Sequence, residues 1–229
     1  MKTSQIDTYK KNCTLKNHQK KLLLIISKIF KKKKYGKILD IGCANGSFLN
    51  FFKKKYINYE LFGIDTSKIM IKIAKNLKIS ESKFFCKDFM TMNNKTKFDI
   101  VVSSGVLAFY DNFSKPINKM ISLLKKDGHL FIFGTFNSEN IDTLVKFRNN
   151  YNSSNWEKGL NSFSVNTISK FLKKKEIKFK FIKFNLPFSL KKKKNPILSY
   201  TFNINKKKKL ILNGANIRLE LYYLIIKKK

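Results

Sequence analysis

A glycine-bounded turn, Gly42-Cys43-Ala44-Asn45-Gly46, directly follows the apolar run Ile38-Leu39-Asp40-Ile41 and directly precedes the helix-like stretch SFLNFFKKK. A chain that passes this tightly from strand to helix with a ligand against its backbone needs small residues at the closest points, so Gly42 and Gly46 are the contact positions. Nineteen residues past Gly46 a second apolar run, YELFGID, ends in Asp65. A carboxylate at the end of a second strand can accept hydrogen bonds from both hydroxyls of a ribose. The GxGxxG turn of a nicotinamide dinucleotide site needs a third glycine, absent here, and a pyrophosphate needs more amides at the helix start. The chemistry written into this spacing is the holding of a nucleoside without phosphates.

The segment ILDIGCANGSF resembles motif I of class I S-adenosylmethionine-dependent methyltransferases, and Asp65 in LFGIDTSKIMIKIAK is similar to their ribose-binding acid. Asp88 in FFCKDFM is similar to the acid after the family's third strand, FDIVVSSGVLAF resembles the fourth-strand motif, and LLKKDGHLFIF the approach to strand five. The resemblance covers about residues 36 to 137. It implies S-adenosyl-L-methionine as cofactor, with Asp40 and the backbone of Gly42, Cys43, Ala44 and Gly46 bordering the methionine part. It further implies Asp65, followed by Thr66, at the ribose, Asp88 and Phe89 at the adenine, and Ser103, Ser104 and Gly105 at the mouth. Ala44 departs from the family, many of whose members carry glycine there, and alanine is small enough for binding to survive.

A sulfonium makes its methyl electrophilic, so such a protein has chiefly to hold a nucleophile in line and exclude water. A dedicated base is optional. Tyr110, Asp111 and His129 are the candidates for proton removal, and none is assigned, because each has a structural role open to it; His129 follows the Asp127-Gly128 turn at a strand start. Families that methylate exocyclic amines often carry Asn or Asp, then Pro-Pro and an aromatic, after strand four. Ser103-Ser104-Gly105-Val106 stands there instead, which points to oxygen or carbon of a small molecule as acceptor. In this superfamily the acceptor is usually chosen by the N-terminal helix and insertions near the last strands, here residues 1 to 36 and 138 to 215. Trp156, Phe163, Phe188 and Tyr200 fall in that region, and the expectation for each is core rather than substrate wall. The tail, from FNLPFSL to RLELYYLII, resembles the end of bacterial methyltransferases that act on small molecules or sugars.

The elements that must position these residues form a pattern of strands alternating with helices from 37 to about 137: KILDIG, SFLNFFKKK, YELFGID, SKIMIKIAKNL, SKFFCKD, FDIVVSSG, INKMISLLKK, HLFIFGTF. This alternation predicts an α/β fold, a Rossmann-like doubly wound sheet of seven mostly parallel strands, with antiparallel strands toward the C-terminus. Residues 1–36 read as an N-terminal helical cap, 37–137 as the cofactor-binding core, and 138–229 as completion of the sheet with a substrate-side insertion. Beyond residue 138 a helix near TISKFLKKK and strands at EIKFKFIKF, SYTFNI and RLELYYLII are expected.

The net charge is +35, with 49 basic against 14 acidic residues, yet only Arg148 and Arg218 are arginine. Sites that read phosphates or guanine edges favour arginine's planar fork, so the excess reads first as composition, with lysine runs solvated on faces and loops. RNA is the alternative acceptor that the charge would serve, and a non-catalytic relic that binds cofactor or a partner is a further alternative. Cys13, Cys43 and Cys86 are scattered without a CxxC pair, which supports neither a zinc site nor a disulfide framework. No apolar run approaches the roughly 20 residues of a spanning helix, and the expected location is cytoplasmic.

Overall fold

The computed structural model describes residues 14–31, 35–93, 95–149, 155–205 and 209–229. Cys13 with the rest of the first thirteen residues, Lys32 to Lys34, the polar stretch 150–154 and Lys206 to Lys208 lie outside them.

Helix α1 (Asn17–Ile29) leads into β1 (Tyr35–Ile41), α2 (Ser47–Lys55), β2 (Asn58–Asp65), α3 (Lys68–Asn76), β3 (Ser82–Cys86), β4 (Phe98–Ser104), α4 (Ser114–Ser122) and β5 (Leu124–Asn137). Next come β6 (Lys146–Phe147), β7 (Glu157–Lys158), β8 (Phe163–Ser164), α5 (Val165–Lys174), β9 (Lys178–Phe184), β10 (Tyr200–Asn203), β11 (Lys209–Leu212) and β12 (Glu220–Lys227). The main sheet has the order β3-β2-β1-β4-β5-β12-β9, parallel through β5 and antiparallel where β12 lies between β5 and β9. Two apolar layers cover it. Helices α1, α2 and α3 pack Ile26, Phe52 and Ala74 on Ile38, Leu61, Val102 and Phe131. On the other face α4 and α5 pack Met120, Ile168 and Leu172 on Leu39, Val101, Ile132 and Leu224. The central strands read as unbroken apolar runs because both of their faces are buried.

The helices start where short polar side chains take up orphan amides. Ser67 accepts from the Met70 amide and Ser164 from the Asn166 amide. Lysines do much of the remaining satisfaction: Lys97 Nζ donates to the Ser122 carbonyl at the end of α4 (2.7 Å), Lys228 Nζ to the Leu124 carbonyl (2.8 Å), and Lys119 Nζ to the Met92 carbonyl. The buried Lys53 ammonium joins the Tyr59 carbonyl to Glu81.

Two expectations change. Asp127-Gly128 is no turn ahead of a strand, since β5 runs on through it with Asp127 at φ 60° and the β4–β5 register slips between Phe98 and Ile100. The kink survives as a bulge inside the strand because Lys228 pins it, accepting from the Asp127 amide and donating to the Gly128 carbonyl. The strand expected at SYTFNI exists as β10 but leaves the main sheet and pairs with β11, which the lysine run before it conceals.

Glu220, the first residue of β12, lies opposite Phe136 of β5 and ties β12 to the chain just beyond β5. Its carboxylate accepts from the Ser138 amide (2.9 Å), Lys183 (2.7 Å) and Arg218 (2.7 Å). Burial works to raise its pKa, but these donors prevail and hold it at about 2, below its ordinary 4.5. A depressed acid contributes stability above its unfolded pKa and loses it as pH falls through the folded one. Urea midpoints of the wild type should therefore fall as pH drops from 4.5 toward 2. Glu220→Gln should start from a lower midpoint at neutral pH and lack that part of the acid slope.

Candidate active site

Parallel strands present their carboxyl ends to one edge of the sheet, and the crevice there lies beside β1, where the strand order reverses. At that edge the chain leaves β1 through Gly42 (φ 74°), Ala44 (φ 46°) and Gly46 (φ 75°) before α2 begins. The Ile64 carbonyl of β2 accepts from both the Gly42 and Cys43 amides (2.8 and 3.1 Å). One oxygen of Asp65 accepts from the Ala44 amide and the other from the Ser67 amide, each at 2.9 Å. The turn is thus held against β2 while α3 is held to the same carboxylate. A Cβ on Gly42 would stand 2.5 Å from Val106, and one on Gly46 would crowd Ala74 and Phe84 at 3.1 Å. Ala44 tolerates its left-handed backbone, usually reserved for glycine, because its amide gains the Asp65 bond.

Asp40 is 4% exposed. Burial, and then the nearby Asp65, raise its pKa well above the usual carboxylate range. Burial likewise pushes the Cys43 thiol up, helped by Asp40 and Asp65, so it stays protonated and unreactive. Asn45 was not among the expected site residues, yet its buried amide oxygen accepts from the Ser47 amide and hydroxyl (3.2 and 2.7 Å) and starts α2. An Asn just ahead of a helical pattern is the signal that could have found it.

Asp40, Gly42, Cys43, Ala44, Gly46 and Asp65 therefore come together. Thr66 lies in the bend just after β2, its carbonyl accepting from the Cys86 thiol at the end of β3. After β3, Asp88 caps a short 3-10 turn by accepting from the Met90 amide (2.9 Å), and the buried Phe89 meets the Tyr110 ring edge-on at 5.9 Å. Burial, the charge of Asp88 and a hydrogen bond to it push Tyr110 up to about 12. Tyr110 therefore keeps its proton at neutral pH. Beyond the buried Ser103, Ser104 is half-buried, and Gly105 (φ 76°) has open space where a Cβ would stand. Asp111 is paired with Lys158 (2.6 Å) and accepts from Asn161 (3.1 Å), which lower its pKa. His129 lies in the amino-terminal half of β5 beside Ile100, edge-on to Phe30 at 5.2 Å, away from the turn. Phe163 is core as expected and Tyr200 is half-buried, whereas Trp156 (67%) and Phe188 (41%) are exposed, contrary to expectation.

The family model described as "Methyltransferase domain" matches residues 31–183. A malonyl-[acyl-carrier protein] O-methyltransferase of Acetivibrio thermocellus is 30% identical over 101 residues, 43% of this chain and 35% of that protein. The YcgJ protein of Bacillus subtilis superposes with a TM-score of 0.63 at 13% identity, covering 93% of this chain and 99% of that one. The plantazolicin methyltransferase BpumL gives 0.61 at 16% identity, covering 99% and 90%. The chain belongs to the methyltransferase-domain family, and its architecture is the Rossmann-like fold of class I S-adenosylmethionine-dependent methyltransferases. Its matches span 35% to 60% of the length of the curated relatives.

The two glycines at 42 and 105 separate conformational cost from crowding. Gly105→Ala should lose about 1 kcal/mol, the cost of a left-handed Cβ alone. Gly42→Ala adds the overlap with Val106 and should lose about 1–3 kcal/mol more. Urea unfolding of both variants reads the difference.

Proposed function

We propose that this chain transfers a methyl group from S-adenosyl-L-methionine to oxygen or carbon of a small-molecule acceptor, in the cytoplasm. The observation that carries this reading is the Asp65 carboxylate: each oxygen is fixed by one backbone amide, which leaves further lone pairs to accept the two hydroxyls of a ribose. The glycine turn fits such a cofactor because its tight path packs without side chains at 42 and 46, where a Cβ would meet Val106 or Ala74 and Phe84, and so presents backbone to a ligand. Asp88 and Phe89 would border the adenine. Asp40 and the backbone of residues 42 to 46 would border the methionine end, where a buried carboxyl favours a cation beside it. When bound, the cofactor supplies a methyl made electrophilic by its sulfonium. The chain's own part is to orient the acceptor beside Ser104 and Gly105 and to exclude water.

Among the described residues no helix is long and apolar enough to cross a membrane. The chain's relatives include proteins named for O-methylation of a malonyl group on acyl-carrier protein and for methylation of plantazolicin, in keeping with an acceptor other than nucleic acid. Incubation with labelled cofactor and fractionated extract should place label in small molecules. Label in RNA would reassign the acceptor to the class that the +35 charge suggests.

Two variants test the cofactor site by calorimetric titration. Asp65→Ala should weaken S-adenosylmethionine binding about tenfold or more, since charge-assisted hydrogen bonds to two hydroxyls are lost. A cation beside Asp40 favours its ionised form, so binding should release a proton and affinity should rise with pH until the free protein's Asp40 is itself ionised. Asp40→Asn should flatten that dependence. Absence of cofactor binding by the wild type would end the proposal.

A further inference from the structure

Residues 143–149 and 155–162 pair antiparallel as the two arms of a hairpin beside the mouth. Lys146 pairs with Lys158 and Phe147 with Glu157, and a bridge joins Thr143 to Ser162 at its base. The hairpin is anchored to the carboxyl edge of the sheet. β8 pairs with the end of β5, and Thr135 of β5 donates to the Asn161 carbonyl (2.9 Å). The buried Asn161 donates from its side chain to the Tyr110 carbonyl (3.0 Å) and Asp111 (3.1 Å), and accepts from the Val145 amide (2.8 Å). Whatever the hairpin carries is therefore held in fixed relation to Tyr110 and, through it, to Asp88.

Side chains alternate along a strand, so Val145 and Phe147 turn to one face and Leu144, Lys146 and Arg148 to the other, joined there by Trp156 and Lys158. The first face packs inward: Val145 is buried and fills the space over Gly159. The second is exposed and carries three cations and an indole, with the Arg148 guanidinium 5.7 Å from the Trp156 ring centre. Lys146 directly opposite Lys158 is an unfavourable cross-strand pair of like charges. Asp111 offsets it, touching Lys158 at 2.6 Å and lying within electrostatic reach of Lys146. Among the described residues of this face, Asp111 is one carboxylate against three cations, which leaves an excess of positive charge beside exposed apolar surface, Leu144 and Trp156.

We propose that this hairpin face binds an oxyanion of the methyl acceptor, a carboxylate or phosphate attached to an aromatic or aliphatic body that lies on Trp156 and Leu144. The inference rests on the methyl-transfer reading for the word acceptor, and on the hairpin alone for the anion. Lys146 and Lys158 would grip the anion, Arg148 would hold the indole in place, and Asp111 would fix the two ammoniums while competing for them.

Trp156 is the chain's single tryptophan, so its fluorescence reports on the face directly. The wild type is titrated with three contact quenchers of similar size: 4-nitrobenzoate, 4-nitrophenyl phosphate and the neutral 4-nitrobenzamide. Saturable quenching by one or both anions is expected about tenfold more tightly than by the amide, and the tighter anion names the acceptor's group. Lys146→Glu/Lys158→Glu should abolish the preference, Asp111→Asn should strengthen it, and Lys191→Glu/Lys193→Glu, which changes charge elsewhere, should leave it intact. Equal quenching by anions and amide would overturn the proposal, as would equal losses in the two charge-reversed pairs. The same samples titrated with S-adenosylmethionine should keep wild-type cofactor affinity in Lys146→Glu/Lys158→Glu. A wild type that prefers the anions but binds no cofactor would overturn the acceptor assignment and the methyl-transfer reading together, while leaving an anion site.

Discussion

Two oxygens of one carboxylate, each accepting a backbone amide from a different neighbour, determine where a crevice can exist in this sheet. Asp65 ends β2, reaches across to Ala44 in the turn after β1, and reaches forward to Ser67 at the start of α3. With the Ile64 carbonyl taking the amides of Gly42 and Cys43, the turn has no freedom to lift away from β2. The glycines are a consequence of that attachment. Gly42 and Gly46 adopt left-handed backbone because the turn must reverse within five residues, and Gly63 lacks a side chain because Phe84 and Cys43 occupy its place. Both helices that flank the crevice then start where this carboxylate and Asn45 permit.

Charge is distributed unevenly around the mouth. On the β1–β2 side, burial and then the nearby Asp65 raise the pKa of Asp40. On the β4–β5 side, Lys158 and Lys146 face Asp111, and Arg148 lies on Trp156 of the same hairpin face. A cationic sulfonium donor and an anionic acceptor would each meet their complement, and the field between the two sides would set their relative orientation before any close contact formed. Other lysines serve the fold itself. Lys53, Lys97, Lys119 and Lys228 satisfy carbonyls inside it, so part of the +35 is structural hydrogen bonding.

The stretch from β1 to β5 was legible because strands buried on both faces must be apolar throughout, and because the helices between them carry one apolar stripe each. Asp40, Gly42, Gly46 and Asp65 could be located for the same reason: their positions are strand ends, which the apolar runs mark. Asp127 misled because a left-handed Asp before Gly is the signature of a tight turn, and only the distant Lys228 holds it as a bulge. The pairing of 143–149 with 155–162 was invisible since β6 and β7 are two residues each, and Asn161, a polar residue in a polar stretch, supplies the bonds that an apolar pattern would have announced. Trp156 read as core because large aromatics usually are; its exposure depends on which way a short strand alternates, and that register is held at the base by Asn161 and the Thr143–Ser162 bridge.

The position of β12 bears on how the molecule comes into being. Eight residues from Glu220 to Lys227 fill the gap between β5 and β9, and β9 reaches the sheet only through them. During synthesis the ribosome has already released every residue of the cofactor turn while β5 still shows a bare edge and the Phe179-Phe181 face has nothing to pair with. Such an open edge is one that another strand can pair with, and lysines beside it, as on β9, are the kind of charge that discourages a second copy from doing so.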